Sequence, residues 1–208
     1  MPGRALRGAR RASAERRRFA HRAGLAAADG GWLADPRVGA VGVRLLYPTG
    51  TVQHGGVIIG LSGLCDHAHR GLPGDDPGYA HRAVLPQELS AVTAACMLVR
   101  REAYDAVGGM DEGYPSAFND VDLCLRIGEA GHRVVYDGAV TLHHHELQTY
   151  GNHYAGERAA HQAAEVARMR ARWAPLVAED PFHNPNLSLE FGREWEPAFP
   201  PRAPGPEG

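Results

Sequence analysis

The chain has 208 residues, enough for one domain with a buried core. Its net charge is -2, with 44% hydrophobic and 22% charged residues, which is a globular rather than a disordered balance. The longest uncharged apolar run, residues 91–99, is too short to span a bilayer, and no apolar segment near the start reads as a signal peptide. Three cysteines at wide spacing (Cys65, Cys96, Cys124) give neither a disulfide framework nor a zinc pattern, so the expectation is reduced thiols in the cytoplasm. All 22 basic residues are Arg, so a phosphate-binding loop built on Lys is excluded.

Residues 1–30 stand apart. They carry eight Arg among Ala and Gly, and they read as a disordered or non-native tail that could also meet an anionic membrane surface. From Gly31 the pattern becomes globular. Residues 38–46 (VGAVGVRLL) form a β-rich run ending at the turn signal Tyr47-Pro48-Thr49-Gly50. Residues 51–60 predict a second strand, placed to form a hairpin with the first. Residues 61–89, rich in Gly, Pro, Asp and His, predict a long loop. The continuous apolar run 91–99 predicts a buried strand. A short helix over 101–107 stops at Gly108-Gly109.

Residues 119–130 predict a helix with Asn119 as N-cap and Gly131 as stop. A strand follows at 132–136 and a longer Ala- and Arg-rich helix at 155–173. Residues 181–208 hold seven of the fifteen prolines and read as an extended tail. Strands alternate with helices, so the class is α/β.

Three constellations could carry chemistry. In Asn119-Asp120-Val121-Asp122, Asp120 lies in a first helical turn, where the dipole favours an ionised carboxylate fit for a general base. Asp122 lies four residues before Arg126, the spacing of a surface ion pair. The plainer alternative is that both acids decorate a helix start. In His143-His144-His145-Glu146, alternation puts His143 and His145 on one face and His144 on the other, so one metal would take His144 alone or the outer pair. The alternative is a solvated polar loop. Gly108-Gly109-Met110-Asp111-Glu112 gives a sharp turn that lets backbone approach a ligand, or simply ends a helix.

In order and spacing, five segments resemble the C-terminal half of family 2 glycosyltransferases of the GT-A fold, closest to bacterial rhamnosyltransferase-like enzymes of surface polysaccharides. They are Gly31-Trp32-Leu33, residues 38–60, residues 90–114 (SAVTAACMLVRREAYDAVGGMDEGY), residues 118–146 (FNDVDLCLRIGEAGHRVVYDGAVTLHHHE) and residues 172–188. The resemblance covers about 31–202 and implies a partial GT-A sheet over 31–180. Asp120 matches the catalytic base that deprotonates an acceptor hydroxyl in a single inverting displacement. Gly108, Gly109, Met110, Asp111 and Glu112, with Asn119, match the acceptor side, and Ala94, Ala95 and Cys96 match the strand before it. His144 matches a histidine that approaches the metal–diphosphate, with Glu146 and His145 behind it. Leu147 stands where the family usually carries Ser.

The implied partners are a UDP- or dTDP-sugar and a glycan or lipid-linked acceptor, with no nucleic acid. The implied cofactor is Mg²⁺ or Mn²⁺, and the implied place is the cytoplasm, peripheral at the inner membrane face. The family's Asp-x-Asp, which holds that metal, does not occur before Asp120. The expectation is therefore an acceptor half without its nucleotide-binding half, weak or inactive alone, with an open sheet edge and poor solubility. Two other readings stand beside it: a non-catalytic acceptor-binding fragment or partner subunit, and a His-rich metal-binding protein.

Overall fold

A computed structural model describes residues 31–115, 117–145, 157–200 and 202, with the backbone alone for 157–161. The expectations for residues 1–30 and for Glu146 lie outside the described residues. Strand β1 (Val38–Leu46) is the spine, buried at all nine positions. Its Val and Leu side chains have apolar cover on both faces, which explains a run without polar alternation. On one edge it pairs in parallel with β7 (Arg133–His143). On the other it pairs antiparallel with β2 (Val52–His54) and β6 (Met97–Val99). β5 (Gln87–Glu88) runs antiparallel on the far side of β7. A separate ribbon joins β3 (Val57–Ile59) to β4 (Cys65–His67).

Helix α1 (Arg101–Ala106) and helix α2 (Asn119–Glu129) follow β6. Helix α3 (Glu157–Arg172) and helix α4 (Ala174–Ala178) follow β7, with Pro175 in the first turn of α4, where its missing N–H costs nothing. The main core joins Ala40, Val57, Ile59, Val92, Leu123, Ile127, Val134, Tyr136, Met169 and Trp173. Among the described residues, no helix is long and apolar enough to cross a membrane. Asp180 fastens the segment after α4: it accepts hydrogen bonds from the Ile59 amide (2.8 Å), the Ser90 hydroxyl (2.6 Å) and the Phe182 amide (3.0 Å).

The structure corrects four local expectations. The run 51–60 is two short strands, because Gly55-Gly56 break it and Gly56 takes φ +96° with Leu89 against its Cα. Residues 61–89 contain β4 and β5, strands too short for periodicity to reveal. Residues 91–99 are not one strand: Thr93 caps a 3₁₀ turn at Ala94–Cys96, its hydroxyl accepting the Ala95 amide, and only Met97–Val99 pair. Asn119 is the first helical residue of α2, preceded by Phe118 in the left-handed region without a side-chain cap.

Candidate active site at the 93–97 turn

The turn entering β6 organises the site. The Thr93 amide donates to His54 Nε2 at 3.4 Å, and the next amide, Ala94, donates to Asp120 Oδ2 at 2.8 Å. One short stretch of backbone therefore holds an imidazole on one side and a carboxylate on the other. Asp120 also accepts the Val121 amide at 2.9 Å, which fixes the carboxylate in the first turn of α2. It is half-buried.

Ala94, whose amide holds Asp120, also lines an open groove of about 410 Å³ together with Met97, Val99, Tyr104, Met110 and Leu123, with Arg101 at its rim. The Gly108-Gly109 turn shapes its outer wall. Both glycines take positive φ, and a Cβ on Gly109 would sit 2.9 Å from the Tyr104 ring. The Tyr104 hydroxyl receives the Met110 amide, and Met110 is 38% exposed. Of the other expected acceptor-side residues, Glu112 is exposed and Asn119 half-buried, and neither lines this groove. Asp111 is bound elsewhere, at 2.7 Å from Arg168 and 3.4 Å from Arg172, and the Arg168 hydrogen bond draws its carboxyl below the usual range.

On the other side of the turn, a smaller cavity of about 80 Å³ is lined by Gln53, His54, His67, Arg70, Thr93 and His144, with Leu45, Tyr47 and Ala95 completing the wall. The β1–β7 ladder sets His144: the register ends at Leu46 opposite His143, and the His144 amide then donates to the Leu46 carbonyl. Alternation turns His144 inward and leaves His143 and His145 exposed. His144 Nδ1 lies 2.9 Å from Gln53 Oε1, and an amide oxygen can only accept, so Nδ1 carries the proton there.

His54 is fully buried, and burial, with His67 beside it, holds its pKa well below the usual value. A neutral ring that accepts from Thr93 at Nε2 carries its proton on Nδ1. That proton goes to His67 Nδ1, 2.7 Å away. His67 then carries its own proton on Nε2. The Cys65 thiol, on the same face of β4 as His67, is pushed up to about 12 by burial, with the Asp120 and Asp66 carboxylates adding to it. Cys65 is therefore a neutral thiol beside the carboxylate and no nucleophile.

Asp122 does something else. It is completely buried, with Arg126 Nε at 2.7 Å and Trp173 Nε1 donating at 3.0 Å. The expected surface pair is an interior one, because α3 and Trp173 cover it. The Asp120-Val121-Asp122 motif thus splits into a half-buried carboxylate held by the 93–97 turn and a carboxylate locked in the core. Among the described residues no group of three or more His, Cys, Asp or Glu is arranged to hold a metal ion. Imidazole and amide around His144 also do not fit Mg²⁺ or Mn²⁺, which take carboxylate oxygens. Sequence reasoning missed Gln53, His54, His67, Arg70 and Thr93; all but Arg70 lie 13 to 91 residues from their partners, and only the Gln-His-Gly-Gly break at 53–56 hints at them.

No family model and no solved structure matches the chain. Similar curated proteins are longer. The uncharacterized protein y4gI of Sinorhizobium fredii is 46% identical over 156 residues, 74% of this chain and 17% of its own length. The O-antigen biosynthesis protein RfbC of Myxococcus xanthus is 39% identical over 160 residues, 74% of this chain and 12% of its own. The N-acetylglucosaminyl-diphospho-decaprenol L-rhamnosyltransferase of Mycobacterium tuberculosis is 35% identical over 105 residues, 47% of this chain and 34% of its own. These relatives support a glycosyltransferase family. The chain spans only a minor part of each, and its mixed α/β sheet is compatible with a partial glycosyltransferase fold.

Proposed function

We propose that this chain is the acceptor half of a GT-A, family 2 type glycosyltransferase, and that Asp120 is its general base. The observation that carries the reading is the half-buried Asp120 carboxylate, fixed by the Ala94 and Val121 amides, with Ala94 also lining an open groove of a size to take a second substrate. A sugar hydroxyl in that groove loses its proton to Asp120 as its oxygen attacks the anomeric carbon of a nucleotide-sugar. The nucleoside diphosphate leaves from the opposite face, so the anomeric centre inverts. Two backbone N–H donors keep the base pre-aimed, and its proton transfer contributes about 10²- to 10⁴-fold. Names such as O-antigen biosynthesis protein and N-acetylglucosaminyl-diphospho-decaprenol L-rhamnosyltransferase favour a polysaccharide or lipid-linked acceptor, and the family resemblance adds a UDP- or dTDP-sugar donor. Met97, Val99, Tyr104 and Met110 suit an acceptor with an apolar part.

A second reading, a glycan-binding fragment without turnover, is favoured by one observation. The sole Asp-x-Asp of the 208 residues has its second carboxylate buried against Arg126, so the chain presents no such motif to a donor. The test is sugar transfer by the purified chain from UDP- and dTDP-sugars, with Asp120→Asn as comparison. Turnover abolished by a folded Asp120→Asn supports the catalytic reading. Turnover that survives the substitution refutes the role of Asp120. Acceptor binding without turnover favours the fragment.

A further inference from the structure

We infer that the cavity at the C-terminal end of α2 is a binding site for a small molecule that joins a compact apolar body to a positive charge. It shares no lining residue with the groove beside Ala94, and it does not rest on the glycosyltransferase reading. Size comes first. The cavity holds about 320 Å³ between the last turn of α2, the 88–90 stretch, β7 and the chain after α4. A cavity of about 150 Å³ takes one benzene ring, so this one takes a body of roughly two rings. Leu89, Leu125, Val134, Leu176, Pro181 and Phe182 form its walls and favour hydrocarbon.

The last turn of α2 comes second. Gly128 lies inside the helix without a positive φ, and a Cβ added there meets nothing within 4 Å. No turn or close approach in the fold requires glycine at 128, and glycine is a poor helix former. The missing side chain leaves bare backbone on the cavity wall, where an occupant can approach closely. Glu129 is the last helical residue, at the negative end of the dipole, where an acid is disfavoured. It is exposed and has no ion-pair partner among the described residues. Both residues work against the isolated helix, and both suit an apolar cation in the cavity.

Charge comes third. Glu88 and Glu129 line the cavity and no Arg does; His132 is the other titratable residue of the wall. Glu88 lies 2.7 Å from Arg133 and is balanced by it. Glu129 and the carbonyl end of α2 are left to select a cation over an anion. Along the helix, Gly128 is about 12 Å from Asp120 at 1.5 Å per residue. The occupant is thus out of reach of that carboxylate, and it is a ligand rather than the molecule that reacts there.

The test is calorimetric titration of the 208-residue chain at pH 8, above the usual histidine range, with three probes that share one ring body: tryptamine, indole and indole-3-acetate. The Arg-rich first thirty residues attract anions wherever they lie, so the readout is the ranking of the probes and its change with single substitutions. Tryptamine binds saturably with Kd at or below ~1 mM, indole about threefold more weakly and indole-3-acetate more weakly still. Gly128→Leu, which grows a side chain from the wall, weakens tryptamine binding about tenfold or more while circular dichroism shows the fold retained. Glu129→Gln is the second variant and brings tryptamine and indole to within about twofold of each other. Glu190→Gln, an exposed carboxylate outside the cavity, binds tryptamine normally. The proposal is overturned by the absence of saturable tryptamine binding, by binding unchanged in Gly128→Leu, by an unchanged ranking in Glu129→Gln, or by an equal loss in Glu190→Gln. A dimer that dissociates in Gly128→Leu, with no probe bound, also overturns it and gives the cavity to a second copy of the chain.

Discussion

Replacing Asp122 with Asn removes the charge that Arg126 needs in the interior. Arg126 is only 9% exposed, and its Nε is 2.7 Å from a carboxylate with no exposure at all. Removing one partner of such a buried pair costs about 3–5 kcal/mol, because the remaining charge stays desolvated. One feature pulls the value to the lower end: Arg126 keeps the Val107 carbonyl at 2.7 Å. The expected loss is about 3 kcal/mol, or a drop in Tm of about 6–12 °C for a chain of this size. Urea unfolding followed by circular dichroism measures it, with an unchanged m-value showing that the native state has kept its compactness. A loss under about 1 kcal/mol refutes the argument, since it would place the pair in solvent, where such pairs contribute little.

Asp120→Asn, two residues earlier, keeps only one of the two amide hydrogen bonds and costs about 1–2 kcal/mol in the same assay, while removing ~10²- to 10⁴-fold in transfer. Gly109→Ala destabilises more than Gly108→Ala: both positions take positive φ, at about 1–3 kcal/mol each, but only Gly109 has the Tyr104 ring 2.9 Å from the added methyl. Equal melting temperatures for the two variants contradict this. Acid weakens the fold. Burial pushes His69 down to about 4, with Arg82 and Arg44 adding to it, and holds His54 well down as well. The folded state thus binds fewer protons than the unfolded one below the ordinary histidine pKa near 6.5. Stability therefore falls as pH drops from about 6.5 toward 4, by up to ~1.4 kcal/mol per pH unit per histidine. In urea titrations across pH, His69→Phe removes one histidine's share of that slope.

The sequence made the spine and the helix that carries Asp120 legible and left much of the rest dark for physical reasons. β1 reads correctly because its nine residues need no partner information to look buried. α2 reads correctly because Val121, Leu125 and the Gly131 stop are local signals. Asp120 and His144 were singled out by spacing and resemblance, and the structure brings both to one turn through different neighbours. Asp122 was misjudged because what buries it, Trp173, lies 51 residues downstream. The His54–His67 pair was invisible because two strands of three residues each leave no period to read. The break of the 91–99 run at Thr93 shows how a hydroxyl and a distant carboxylate outweigh apolar continuity.

The amides of Thr93 and Ala94 are adjacent peptide planes, and the angle between them is set by one residue's pair of dihedrals, φ -81° and ψ 142° at Thr93. The carboxylate and the imidazole are therefore two ends of a single lever with one fulcrum. A rotation that improves the grip of either amide on its partner re-aims the other. A change of backbone angle at Thr93 therefore moves the amide that holds the His54 ring and the amide that holds the Asp120 carboxylate together, through a single peptide unit.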